Sequence, residues 1–206
     1  MAKQEYPLAY LQNYLPAASA AAALELLQRY KVHLTITKER KSVLGDYRHA
    51  HNNAAHRISV NGNLNQYAFL ITLIHELAHL VTFLEYGNGV QAHGREWKKM
   101  YKFLLLQFLE MKIFPADILA SLTASLNNLP ASSCADEGLM RVLRRYDKKH
   151  DGMLLVEELP EGALFKLDNG TVFKKGQRLR KRYQCVEVKT GKLYLFSPIY
   201  EVKKVS

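Results

Sequence analysis

Ile74-His75-Glu76-Leu77-Ala78-His79-Leu80 lies inside the most apolar run of the chain, residues 67–84. Ionisable groups in such a run are costly to bury without partners. Read as a helix, the run gives them one. Residues four apart lie about 40° apart around the axis, so His75 and His79 face the same way and can share one metal ion. Glu76 follows the first histidine and is placed to take a proton from an attacking water without itself binding the metal. Zinc would lower the pKa of that water towards neutrality, and a carboxylate would accept the proton as the water attacks a carbonyl. The same run is long enough to cross a bilayer, but three ionisable residues sit in its middle and no second long apolar run accompanies it. A buried central helix is therefore expected, with no membrane as a partner.

The helix has readable ends. Asn65 can cap its start near residue 66, and Gly87-Asn88-Gly89 stops it near residue 86. A third protein ligand is needed beyond the pair on the helix. His93 supplies one after thirteen intervening residues, and Gly94 leaves room for the backbone to bring it back. Glu96 is the alternative third ligand; otherwise it is an acceptor for a ligand imidazole or plain helix surface.

Outward from this core the chain divides. Pro16 is suited to open an amphipathic helix carrying Leu24, Leu26, Leu27 and Tyr30. Residues 32–37 alternate and are β-branched, and short strands are expected at 45–48 and 57–60, the last stopped by Asn61-Gly62-Asn63. After the metal segment, Trp97, Met100, Tyr101, Leu104, Leu105 and Phe108 mark a helix from about 94 to 112, broken at Phe114-Pro115. Two further helices are expected at 116–126 and 135–146. A polar stretch at 147–152 marks a boundary, giving domains over 1–150 and 151–206. Beyond it the period falls to two, with five strands expected at 154–157, 163–167, 171–174, 179–188 and 193–196, separated by turns such as Asp168-Asn169-Gly170. Five short strands suit a small barrel or sheet.

Nearly half of the 206 residues are apolar and 23% are charged, the balance of a globular protein able to bury its own core. The two cysteines, Cys134 and Cys185, form no disulfide framework and no four-cysteine zinc ribbon, and no signal peptide is read at the start. A cytoplasmic location is expected. The formal net charge is +10, and residues 153–206 contribute +5 of it from 11 basic and 6 acidic residues. That density favours a polyanionic partner and leaves DNA open as one. Read as one strand, residues 178–182 put Arg178, Arg180 and Arg182 on one face, with Lys174 and Lys175 just before the turn at Gly176, a candidate phosphate-binding row. A charge-protected solvated edge is the competing reading.

With His75-Glu76-Leu77-Ala78-His79 followed by His93-Gly94-Arg95-Glu96-Trp97, the chain resembles the SprT-like (Spartan-type) metallopeptidases, whose pattern is H-E-x-x-H and then H-G-x-x-aromatic. Leu44-Gly45-Asp46-Tyr47 and Arg57-Ile58-Ser59-Val60-Asn61 are similar as well, so the resemblance spans roughly residues 24–108. It implies His75, His79 and His93 as ligands of one zinc per chain, Glu76 as the catalytic base, and a protein or peptide as substrate. In eukaryotic members it implies cleavage of proteins crosslinked to DNA. One departure is clear: many members carry a C-terminal zinc ribbon with paired cysteines, whereas that region here keeps Cys185 alone. The expected fold is α+β: a zincin-like helical domain with a small antiparallel sheet, then a small β-barrel or β-sheet module. A zinc-bearing scaffold that binds nucleic acid or protein without cutting is the alternative function. An intact Glu76 favours the enzyme. His49, His51 and His56 are candidates to line the cleft, and Tyr47, Tyr86, Arg95 and Tyr101 to stabilise an oxyanion.

Overall fold

The computed structural model describes residues 8–40, 43–50, 55–126, 136–148 and 152–205. The fold is α+β, and the chain separates into two units, Met1–Asp147 and Lys148–Ser206.

In the first unit, α1 (Ala20–Arg29) buries Ala23, Leu26 and Leu27, one stripe at helical spacing. It leads into β1 (Val32–Thr37), followed by β2 (Gly45–Arg48) and β3 (His56–Asn61). The sheet order is β1-β3-β2. β3 runs parallel to β1, with Leu34 opposite Ile58, and antiparallel to β2, with Tyr47 opposite Ile58. The sheet is thus mixed, not antiparallel as the sequence suggested. The short β2 turns out to the edge, and the chain returns to lay β3 between the two earlier strands. Period two then sorts β3: Ile58 and Val60 are 1% and 0% exposed in the core, while Arg57 and Ser59 face the other way.

The central helix, α2, spans Gln66–Tyr86. Phe69, Leu70, Ile71, Thr72, Leu73 and Ile74 are each at most 3% exposed, and at about 100° per residue they cover nearly the whole circumference, which marks a helix enclosed by its neighbours. It is long and apolar enough to cross a membrane, but 72% of its most apolar stretch is buried within the protein. Gly87, at φ 65°, ends it in a conformation that side chains disfavour. At its start Asn65 Oδ1 accepts from the backbone N–H of Tyr67 (3.1 Å) and Ala68 (2.9 Å). The same side chain donates through Nδ2 to the Leu143 carbonyl (2.9 Å) and to Asp147 Oδ1 (2.7 Å). Asn65→Ala should therefore lose a helix cap and the two ties to Leu143 and Asp147, lowering stability by about 2–3 kcal/mol. Urea denaturation checks this, and a loss within error of zero would remove the cap's structural role.

Among the described residues three further α-helices follow in this unit: α3 (Arg95–Glu110), α4 (Ala116–Leu126) and α5 (Glu137–Arg144). α3 buries Trp97, Tyr101, Leu104, Leu105 and Phe108, the face expected from the sequence. Asp136 caps α5 by accepting from the Leu139 N–H.

The second unit is a six-stranded antiparallel sheet of β4 (Met153–Leu155), β5 (Leu164–Lys166), β6 (Val172–Leu179), β7 (Arg182–Glu187), β8 (Leu193–Phe196) and β9 (Glu201–Lys204), in the order β4-β9-β5-β6-β7-β8. One face of it closes over Val156, Leu159, Phe165, Phe173, Cys185, Phe196 and Val202. The strand expected at 179–188 is β7, which starts at Arg182, and the turn expected at Gly176 falls later in the chain. β6 runs on through a register shift between Lys175 and Arg178, then turns at Arg180-Lys181, where Leu179 pairs with Arg182. No Gly, Asn or Pro marks that turn; Arg180 takes φ 42° itself. β9 was also not expected, because Glu201-Val202-Lys203-Lys204 offers only one apolar residue.

Candidate metal centre

α2 presents His75 and His79 one turn apart, and the segment between α2 and α3 returns His93 to them. That return needs a left-handed residue, and His93 itself adopts φ 62°. Such a conformation costs a non-glycine residue roughly 1–2 kcal/mol, and strain of this kind concentrates at functional sites. The turn is closed by the Gly94 N–H donating to the Gln91 carbonyl at 2.9 Å, and Gly94 is then the N-cap of α3.

The three Nε2 atoms converge. His75 to His93 is 3.1 Å, His79 to His75 3.2 Å and His79 to His93 2.9 Å. A neutral imidazole offers one N–H, so a closed triangle of three such nitrogens cannot make three linear hydrogen bonds. Around one tetrahedral ion, imidazole nitrogens at about 2.0–2.1 Å from zinc would lie about 3.3–3.4 Å from each other, close to the separations seen. Among the described residues these three histidines form the group able to hold a metal ion. Glu96, the alternative ligand, is not part of it.

Trp97 backs the whole triangle. Its ring lies 4.7 Å from His75, 5.4 Å from His79 and 4.7 Å from His93, centroid to centroid, and stacks at 9° on Tyr101. His75 Nδ1 and Trp97 Nε1 are buried and have no protein partner. Ligating imidazoles usually pass their other N–H to a carboxylate or carbonyl. Here His75 is oriented by ring packing instead. Burial holds the imidazoles in the neutral form a metal requires: His75 is pushed down to about 3 and His79 to about 4, with the neighbouring histidines adding to the effect, and His93 is lowered too. Protons should then compete with a metal only in strong acid. We expect metal content, measured after equilibrium dialysis, to stay constant from pH 8 down to about 5.5; release centred on the ordinary imidazole value of about 6.5 would contradict this geometry.

Glu76 lies on the same helix beneath β2. Burial, aided by the Asp46 carboxylate, pushes its carboxyl up to about 8, against the opposing pull of Arg40 and of the Tyr47 backbone N–H that donates to it. β2 crosses so closely that a Cβ on Gly45 would fall 2.7 Å from Glu76 Oε1 and 2.7 Å from Thr72 Cγ2. Only glycine fits there. The sequence offered no reason to single out this contact or Arg40, because both arise from strand and helix meeting across the fold.

The remaining candidates disperse. His49 stacks on Phe83 at 4.9 Å, and His56 Nδ1 is bonded to the Tyr47 hydroxyl (2.9 Å) and the Ala50 N–H (3.2 Å). Neither belongs to the metal group, and His51 and Cys134 lie outside the described residues. Of the candidate oxyanion groups, Tyr101 is buried behind Trp97 and the Tyr47 hydroxyl is engaged by His56. In the second unit, Arg178 sits on β6, Arg180 in the turn and Arg182 on β7, so they do not form a row along one strand face. Lys174 remains exposed on β6, but Lys175 is 5% exposed. Its ammonium donates to the carbonyls of Glu157 (3.3 Å) and Leu159 and lies 4.1 Å over the Tyr183 ring. That lysine holds the module together and offers nothing to a phosphate.

Residues 14–113 match the model of the SprT-like family, a family linked to metallopeptidase-like domains. This segment of the chain, which carries α1, the three-stranded sheet, α2, the histidine triangle and α3, belongs to the SprT-like family. No match to the chain was found among curated proteins or among solved structures.

Proposed function

We propose that the chain is a zinc-dependent peptidase that hydrolyses peptide bonds in proteins. The observation that carries this reading is the pairing of a three-imidazole triangle with a buried carboxylate one residue along the same helix. A scaffold needs the first and has no use for the second. His75, His79 and His93 would hold the ion. Zinc, when bound, would supply Lewis acidity and lower the pKa of a water towards neutrality. Next to such a dication the Glu76 carboxyl would ionise despite its burial, and could take the proton of the attacking water and pass it to the leaving amine. The Tyr47 N–H orients that carboxylate.

β2 suits an extended substrate. Among the described residues it pairs with β3 alone. The Leu44 carbonyl accepts from the Asn61 N–H, so alternation turns the backbone groups of Gly45 and Tyr47 to the open side, the side where Glu76 is met. A peptide could add there as a further strand. An unfolded protein substrate incubated with the zinc-loaded chain tests the reading. Cleavage that stops with a chelator and returns with zinc is expected; the absence of cleavage with and without DNA would favour the scaffold.

DNA-associated or DNA-crosslinked proteins are a natural substrate class for a chain of net charge +10. The β6–β7 hairpin gathers Arg178, Arg180, Lys181 and Arg182, all exposed, at one tip. Phosphate contacts there should give weakly selective binding that weakens steeply with salt. Changing the three arginines to glutamine should flatten the salt slope by about 2–3 in anisotropy titrations and leave zinc content unchanged. An unchanged slope would return the tip to a solvated, charge-protected turn.

A further inference from the structure

The outer face of the three-stranded sheet, opposite the face that meets α2, carries a cleft of about 210 Å³. Three guanidinium groups line it, Arg40, Arg48 and Arg57, against a single carboxylate, Asp46. Hydroxyls of Thr35, Thr37 and Ser59 complete the wall. The strand register explains the grouping. Thr35 pairs with Ser59, Ser59 with Asp46, and Arg57 with Arg48, so side chains of the same pleat side stand in rows across β1, β3 and β2.

The positive charge there is not cancelled. Arg48 Nε bonds to Asp46 Oδ2 at 2.8 Å. Arg40 hydrogen-bonds to neutral acceptors, Asn61 Oδ1 at 2.8 Å, Ser59 Oγ at 3.0 Å and the Ser59 carbonyl at 3.5 Å, while its charge also acts on the Glu76 carboxyl. Asn61, 1% exposed, returns the contact by donating to the carbonyls of Arg40 (3.0 Å) and Val43 (2.9 Å), which ties the backbone at Arg40 and at Val43 to β3. Arg57 is exposed and has no ion pair among the described residues. Two positive charges in excess, one of them rigidly held, with the Thr35 and Ser59 hydroxyls beside them, fit an oxyanion; the Thr37 hydroxyl is turned inward to the Val60 carbonyl and Asn61 Oδ1.

The position says which oxyanion. A strand added to the open edge of β2 points alternate side chains to the two faces of the sheet. One set faces the α2 side of the sheet; the other stands beside Asp46 and Arg48, which line the cleft. We propose that this cleft is a specificity subsite for an acidic side chain of an extended protein substrate, every second residue along it being within reach. This rests on the peptidase reading and on edge-strand docking, and it adds a preference that neither implies.

The test uses the full chain with Glu76→Gln, loaded with zinc so that peptides are not consumed, and fluorescent peptides in which a single Glu, Gln or Lys is walked along an otherwise neutral sequence. Anisotropy reads binding. Glu should bind about tenfold more tightly than Gln at alternate positions only, with Lys weaker than Gln. Arg57→Gln or Arg48→Gln should bring the Glu/Gln ratio near one without changing the affinity of the Gln peptide, and Arg57→Lys should keep part of the ratio. Equal binding of Glu and Gln at every position overturns the subsite and leaves the peptidase reading standing. No binding of any peptide overturns both. A ratio of one together with weaker binding of a single-stranded oligonucleotide by the arginine variants would assign the cleft to phosphate and likewise overturn the proposal.

Discussion

Replacing Glu76 with glutamine should lower peptide hydrolysis by at least about 10²–10⁴-fold while zinc content and fold stay unchanged. The amide keeps the shape and the hydrogen bond from the Tyr47 N–H but has no lone pair basic enough to take a proton from water. Removing a buried carboxyl that is pushed up to about 8 also relieves a strain on the fold. The sign follows from linkage. A carboxyl whose folded value exceeds its unfolded value of about 4.3 favours folding least above pH 8, so the metal-free variant should be more stable than metal-free wild type at high pH and should lose that advantage as pH falls towards 4. Cleavage rates of an unfolded protein, with zinc quantified on the same samples, check the first part; thermal melts across pH check the second. Undiminished cleavage would remove Glu76 as the base.

Replacing His93 with alanine should release most of the metal, whereas Glu96→Ala should retain it. Two imidazoles remain in the first variant, and a site of three protein ligands reduced to two loses much of its affinity. The left-handed backbone at position 93, φ 62°, costs an alanine at least as much as a histidine, so zinc content of the folded variant, and not its stability, is what tests the ligand role. Glu96 stands outside the histidine group and its loss leaves the triangle intact. The reverse outcome, metal lost with Glu96 and kept without His93, would reassign the third ligand and the geometry of the site.

Much of this site can be read from local sequence because local rules determine it. The period of α2, its Asn65 cap, its Gly87 stop and the i, i+4 histidines all depend on residues within a turn or two of each other. What could not be read depends on chain segments far apart. The parallel pairing of β1 with β3 is a matter of where β2 goes, and nothing in 32–37 or 56–61 encodes it. The contact of Gly45 with Glu76 and the place of Arg40 above Ser59 appear only once the strands lie over the helix. Lys175 looked like a surface cation because lysine is so rarely buried, yet the carbonyls of Glu157 and Leu159 give its ammonium an internal solvation shell. Arg178, Arg180 and Arg182 looked like one strand because their spacing keeps period two straight through a turn that has no turn residues.

The account rests on three imidazoles holding a zinc ion, and zinc K-edge X-ray absorption on the full chain addresses that most directly. It should show three imidazole nitrogens at about 2.0–2.1 Å and one further light-atom ligand, with two imidazoles around the fraction of zinc that His93→Ala retains. A first shell containing sulfur, or one that keeps three imidazoles when His93 is replaced, would contradict it.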